Sequence, residues 1–339
     1  MPARIFSFRP FSLVMLVSFV LFIAAGCGNA GETATGSPAA AASGSSAVAQ
    51  ALPAEPSSSA EPAYRTVETI KGEIRFPANP QRIIAEEYLG SLIALDIIPV
   101  GAPGLTLKNF YYKEALAGVV DTGEYGKLNA ERISSLDPEL IITGSAESYE
   151  VLSKIAPTLL VPYGDLKDAH EELTFFGKAL GKEKEAQAWL AEYDRRIAEA
   201  KAKVDAAIGS DASFSILERT DKAVWAYGDN FGRGGQAVYQ ALSRQPPKAI
   251  ATSLMEKQWV EISAEALNQY AGDYLIVTAN NRTVEDFRKD SIWGSLPAVK
   301  NNRLYVWPEA RSWYYDPIAV LAQTEELAKW LTELPVQAS

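Results

Sequence analysis

The side chains best suited to hold a ligand fall in two short stretches of the second half of the chain. Trp225-Ala-Tyr-Gly-Asp-Asn-Phe-Gly-Arg-Gly-Gly-Gln-Ala-Val-Tyr239 sets Trp225, Tyr227, Phe231 and Arg233 in a glycine-rich run, and Arg311, Trp313 and Tyr314 follow an apolar segment, Arg303 to Val306. An arginine offers N–H donors in a rigid fork while its plane stacks on an aromatic face. Tryptophan and arginine together in glycine-bounded loops are poor core material, so the pairs Trp225/Arg233 and Arg311/Trp313 point to capture of an organic ligand. Tyr88, Phe110, Tyr111 and Tyr112 are the corresponding choices in the first half. Any one of these rings, taken alone, is explained equally well by core or helix packing.

Other chemistries are poorly supplied. The chain has one histidine, His170, and one cysteine, Cys27. That is too few for a zinc or haem-iron cluster, and the carboxylate spacing gives no calcium loop, so no metal ligands and no cofactor are expected. No Gly-x-Ser-x-Gly elbow occurs, and a single histidine in a polar helix start reads as a surface residue rather than a triad member. A hydrolase working with two carboxylates needs no histidine and stays open. An adhesion or structural role without a small ligand is a further alternative. The formal net charge is −10, with no basic run, which argues against nucleic acid as a partner.

The elements that must position these residues read as an α/β body. Short runs rich in Ile, Leu and Val, at Arg82–Ala85, Leu140–Thr143, Leu159–Val161, Phe214–Leu217, Tyr274–Thr278 and Arg303–Val306, are expected to be buried strands. Between them, Lys182 to Ile208 carries Trp189, Tyr193, Ile197, Ala200 and Val204 at spacings of three or four, one apolar stripe on a long helix. Such a helix is about 40 Å long, enough to cross the back of two lobes. A weak internal repeat supports two lobes: Glu131 to Thr143 and Glu265 to Thr278 each read as a short helix, a turn and an apolar strand, with Asn129 and Ser263 as helix caps. The expected division is residues 64–181, the helix 182–208, and residues 209–339.

The N-terminus has its own grammar. Residues 1–27 carry Arg4 and Arg9, no acid, and an apolar run from Phe11 to Ala25, the layout of a secretory signal. Leu21-Phe-Ile-Ala-Ala-Gly-Cys27 resembles the bacterial lipoprotein cleavage box, which implies acylation of Cys27, a lipid anchor and a location on the outer side of the cell membrane. Residues 28–63, without an aromatic side chain, are expected to be a flexible tether with an r.m.s. span of about 30 to 35 Å.

Four further stretches, in order, carry a wider resemblance: Phe76-Pro-Ala-Asn-Pro-Gln-Arg-Ile-Ile84, Leu92-Ile-Ala-Leu-Asp-Ile-Ile-Pro-Val-Gly101, Ala130-Glu-Arg-Ile-Ser-Ser-Leu-Asp-Pro-Glu-Leu-Ile-Ile142, and Trp293-Gly-Ser-Leu-Pro-Ala-Val-Lys-Asn-Asn-Arg-Leu-Tyr-Val306. Over nearly all of Tyr64 to Leu334 the chain resembles the substrate-binding proteins of iron-siderophore and cobalamin importers. The resemblance implies the class III fold, two Rossmann-like α/β lobes joined by a single long helix, with a ligand cleft between them and little closure. It departs at Asp96, at a helix end, where the family usually has glycine. The segment from Trp225 to Tyr239 looks most like the hydroxamate branch, the ferrichrome and ferrioxamine binders of Gram-positive bacteria.

The resemblance implies a ferric siderophore whose own oxygens hold the iron, so that Tyr88, Tyr111, Trp225, Tyr227, Phe231, Arg233, Arg311, Trp313 and Tyr314 would grip an organic shell. It implies a monomer that docks on the permease of an ABC importer through Glu131 and Glu265, which occupy equivalent places in the two repeat units; each is also a first-turn glutamate favoured by its helix dipole. A catecholate complex carries about three negative charges and would favour converging cations, which Arg233, Arg282 and Arg311 could supply. Ferric citrate and cobalamin remain alternative ligands of the same fold.

Overall fold

The computed structural model describes residues 63–334. The signal segment, Cys27 and nearly all of the tether lie outside the described residues.

Alternating burial builds the first lobe. A hairpin of β1 (Tyr64–Thr69) and β2 (Gly72–Pro77) packs through Val67, Ile74 and Phe76 on the lobe's larger core. The lobe then supplies β3 (Ile83–Ala85), β4 (Gly101–Ala102), β5 (Val120–Asp121), a small hairpin of β6 (Gly123–Glu124) and β7 (Lys127–Leu128), β8 (Leu140–Thr143) and β9 (Thr158–Leu160). Five of these form one parallel sheet in the order β5-β4-β3-β8-β9. Ile83, Ala85, Leu140 and Ile142 enter the core on one face, whereas Ile84 and Ile141 enter the core on the other. Successive side chains of a strand point to opposite faces, so a sheet covered on both sides requires continuous apolar runs. That is what the sequence shows at these positions.

The second lobe repeats the scheme. It contains β10 (Phe214–Arg219), β11 (Val224–Tyr227), β12 (Trp259–Ile262), β13 (Tyr274–Thr278) and β14 (Leu304–Trp307), in the order β12-β11-β10-β13-β14. Strands β10, β13 and β14 run parallel, while β11 is antiparallel to both neighbours. Phe214, Ile216, Tyr274 and Ile276 fill one face, and Leu217, Leu275 and Val277 the other. Each fully buried Ile, Leu or Phe of this kind contributes about 1.5 to 3 kcal/mol.

The predicted long helix spans Glu183–Ala207, 25 residues, about 38 Å at the usual rise. Tyr193, Ala200 and Val204 are buried and Trp189 stacks on Tyr193. A companion helix, Pro317–Glu333, lies against it, joined by a two-pronged ion pair from Arg196 to Glu325 at 2.6 and 2.7 Å. Its first turn belongs to the first-lobe core through Ile318, and its later turns, through Leu327, Ala328 and Leu331, to the second-lobe core.

Asn129 caps the helix Ala130–Ser135 by accepting the N–H of Arg132 at 2.9 Å. In the second repeat unit the helix is a single turn, Leu267–Tyr270, and Ser263 instead accepts the N–H of Ala266 at 3.3 Å, closing the turn before it. Asp96 takes φ 59° just beyond the helix Leu89–Ala94, with Asp96 N–H to Ile93 O at 3.0 Å and Ile97 N–H to Leu92 O at 2.9 Å. This is a Schellman closure, whose left-handed residue favours glycine.

Candidate functional site

In both lobes the strand order places the first and fourth sheet strands side by side, and chains leaving their carboxyl ends part in opposite directions. Such switch points open the crevice where ligands of α/β sheets bind. In the first lobe the switch lies between β3 and β8, and Glu86-Glu87-Tyr88 leave the end of β3. Glu86 is 1% exposed and accepts Thr143 Oγ1 at 2.5 Å, Ser148 Oγ at 2.8 Å and the Gly126 N–H at 3.3 Å. A buried carboxylate met by three donors locks the strand end. Tyr88 follows at φ 64°, its hydroxyl donating to the Val161 and Pro162 carbonyls at 3.1 and 3.2 Å.

Glu87 and Tyr88 line a cavity of about 500 Å³, together with Tyr163, Glu172, Trp313 and Asp316. Burial, then the charge of Glu86, pushes Glu87 up to about 8. Burial also pushes Glu172 to about 8, although the Ser91 hydroxyl donates to it. Asp316 is raised to about 6 by burial, against the pull of the Ala319 N–H and the Tyr112 hydroxyl. Among the described residues that line this cavity there is no lysine, arginine or histidine.

The second-lobe side is built on a glycine turn. At Gly232, φ 74°, a Cβ would meet the Trp313 carbonyl oxygen at 2.2 Å, and at Gly234, φ 89°, the Trp307 ring at 2.6 Å. Only glycine permits both the backbone sign and the approach. Between them Arg233, φ 57°, donates its N–H to Ser312 O at 2.6 Å. Its guanidinium lies 4.0 Å from the Trp313 ring centroid and 4.8 Å from that of Tyr227. Its Nε stands 3.2 Å from Glu218 Oε2, which also accepts the Tyr227 hydroxyl at 2.6 Å. A π-helical turn, Gln236–Ala241, follows. At this lobe's own switch point, between β10 and β13, a polar cavity of about 450 Å³ is lined by Glu218, Arg219, Asn280, Arg282 and Glu309.

The profile of the periplasmic binding protein family matches residues 83–310. The chain belongs to that family. It is 34% identical over 282 residues to the iron(3+)-hydroxamate-binding protein YxeB of Bacillus subtilis, covering 81% of this chain and 87% of that one. Among solved structures it is similar to the FhuD protein from S. pseudintermedius, with a TM-score of 0.71 and 31% identity over 81% of this chain and all of the other. It is similar also to FhuD2 from Staphylococcus aureus with bound ferrioxamine B, with a TM-score of 0.68 and 27% identity over 75% of this chain and 99% of the other. The protein is therefore an extracytoplasmic binding protein of the class III fold, and the hydrolase reading falls away. No helix among the described residues is long and apolar enough to cross a membrane.

In this periplasmic binding protein the residues singled out from sequence divide into groups. Tyr227, Arg233 and Trp313 meet as one stack, and Tyr88, Tyr112, Trp313 and Tyr314 line the first-lobe cavity. Phe231 sits edge-on to Trp259 at 4.7 Å and 5.3 Å from Tyr163, whose ring is 5.6 Å from Tyr315. Trp225, on β11 two residues from Tyr227, is half-buried against the second-lobe core. Arg282 belongs to the second cavity.

Arg311 and Tyr111 line neither of these two cavities. The Tyr111 hydroxyl donates to the Arg311 carbonyl at 2.8 Å, tying the lobes, while the Arg311 guanidinium pairs with Glu326 and lies 4.9 Å from the Phe110 ring. His170 is a surface residue whose Nε2 is 2.9 Å from Asp194. Sequence reasoning missed Glu86, Glu87, Glu172 and Asp316, and the rings of Tyr125, Tyr163, Trp259 and Tyr315. The acidic pair directly after β3 was findable, because ligands gather at strand ends. Glu172 lies inside the helix Ala169–Leu180 and carries no local signal.

Proposed function

We infer that this protein captures a ferric hydroxamate siderophore outside the cytoplasm and delivers it to an ABC importer. The observation that carries this reading is the charge of the cleft: Arg233 is neutralised by Glu218 and Arg311 by Glu326, and the neighbouring cavity is lined by three carboxyl groups. A catecholate or citrate complex, a compact polyanion, would find Arg233 and Arg311 already paired with carboxylates and the adjoining cavity acidic. A hydroxamate complex is neutral or weakly cationic and presents alkyl loops and carbonyl-like oxygens, which rings and a few fixed donors can hold. The relative named for iron(3+)-hydroxamate binding and the similar structure holding ferrioxamine B support the same choice.

In this reading the Arg233 guanidinium, held by Trp313, Tyr227 and Glu218, turns its remaining N–H groups to the hydroxamate oxygens. Tyr88, Phe231 and Tyr314 wall the shell, and Trp225 supports the stack from β11. The iron is cargo and stays with the siderophore's oxygens. Cys27 carries the lipid, residues 28–63 form the leash, and the body acts as a monomer. Glu131 and Glu265 are both exposed. Glu131 lies in the first turn of the helix Ala130–Ser135 and Glu265 just before the helix Leu267–Tyr270, and each helix leads into a parallel strand, a shared position that supports a common role in docking on a permease.

Titrating the full chain in mild detergent with ferrioxamine B, ferrichrome, a ferric catecholate, ferric citrate and cobalamin, with tryptophan fluorescence as the readout, tests this. Saturable quenching by the hydroxamates alone is expected. A response confined to the catecholate or citrate would refute the reading. Charge reversal at both Glu131 and Glu265 should abolish uptake by cells while quenching persists, and undiminished uptake would remove the docking assignment.

A further inference from the structure

The first-lobe cavity has a chemistry that the hydroxamate core of a siderophore does not use. Its carboxyl groups come from three separate elements: Glu87 from the end of β3, Glu172 from the helix Ala169–Leu180, and Asp316 from the start of the helix Pro317–Glu333. Among the described residues no hydrogen-bond donor reaches the Glu87 carboxyl, and Glu172, 3% exposed, receives one bond, from Ser91. Tyr88, Tyr163 and Trp313 face the same space. Among the described residues no group of three or more His, Cys, Asp or Glu is placed to hold a metal ion. Aromatic faces beside dispersed carboxyl groups suit an organic ammonium: the ring quadrupoles attract it, and its charge in turn favours ionisation of the acids it meets.

The cavity also shares a wall with the proposed siderophore grip. Trp313 lines it and at the same time carries the Arg233 guanidinium on its ring. We propose that this cavity seats a protonated amine borne on an alkyl arm of the siderophore, so that the cleft prefers cationic ferric hydroxamates to neutral ones; the proposal rests on the hydroxamate reading above. An ammonium there would lower the raised pKa values of the acids around it and pair with them, and the volume of about 500 Å³ leaves room for the methylenes that lead to it.

Ferrioxamine B carries such an amine, and acetylating its nitrogen removes the charge without touching the iron-binding groups. Quenching titrations of the full chain with the two ligands are expected to give a dissociation constant about tenfold or more lower for the free amine. Glu87→Gln and Glu172→Gln should each narrow that ratio towards one, whereas Glu68→Gln, on the exposed first hairpin, should leave it unchanged. Equal affinity of the two ligands for the unmodified protein would overturn the proposal while leaving hydroxamate binding intact. Failure of both ligands to quench would strike the hydroxamate reading itself and take the proposal with it.

Discussion

The two lobes share one strand order, yet the two cavities beside their sheets are lined in opposite ways, the first walled also by Trp313 to Asp316 from beyond the last strand. The first is aromatic and acidic without a base, at about 500 Å³, and the second is polar, with Arg219 and Arg282 set among Glu218, Asp286 and Glu309, at about 450 Å³. Topology supplies the place and leaves the chemistry to side chains. The lobes are therefore not redundant halves of a clamp. The second holds a stacked, ion-paired arginine on a glycine turn, and the first is walled by carboxyl groups whose burial raises them, Asp316 to about 6 and Glu87 and Glu172 to about 8.

Removing the second lobe's grip should have the largest effect. Arg233→Ala takes away the donor fork and leaves Glu218 buried without its cation, so hydroxamate affinity should fall about 100-fold, near 2.7 kcal/mol, in quenching titrations. Arg233→Lys should recover little of this, because an ammonium neither forks nor stacks. A loss below threefold in the alanine variant would dissolve the contrast between the lobes.

Burial of the first lobe's acids predicts a pH dependence of stability. Glu87 and Glu172 titrate near 8 when folded and near 4.5 in the reference state. Between these values the folded protein holds more protons than the unfolded chain, so stability is full below about 4.5 and is lost as pH rises through about 8. The slope is at most about 1.4 kcal/mol per pH unit for each group. Glu172→Gln should flatten that slope and raise stability at pH 8 by about 2 kcal/mol, as read from denaturant melts at pH 5 and pH 8. Melts of equal slope for both proteins would mean that Glu172 is ionised at neutrality.

Smaller effects sharpen the comparison at its joint and at its margin. Tyr111→Phe removes the hydrogen bond between the lobes and should cost about 1 kcal/mol of stability. Asp96→Gly relieves a left-handed residue that lines neither cavity and should stabilise the first lobe by about 0.5 to 1 kcal/mol without changing affinity. A thermal melt that moves downward for the glycine variant would show that the Asp96 side chain offsets its own backbone strain.

Much of the scaffold was legible in the amino-acid order. Leu140–Thr143 and Tyr274–Thr278 appear as strands with the expected bounds, and the long helix runs within a residue of its expected ends. Arg233 was expected beside Trp225, and it is found stacked on Trp313 and Tyr227 instead. Strands such as Trp259–Ile262 were not expected, because a four-residue edge strand that is largely exposed has no continuous apolar run. The pairing of Arg311 with Glu326 was not legible, because the two residues stand on separate helices.

The sequence by itself determined the class of fold, the two lobes and the loop that carries the arginine, since burial on both faces of a sheet and one stripe of a helix write their period into near neighbours. Only the tertiary structure decided the charge of the site. Glu87, Glu172 and Asp316 are separated by dozens of residues, and each looks like an ordinary surface acid until the chain folds. Their shared effect depends on distance and on the loss of water, and neither of these exists along the chain.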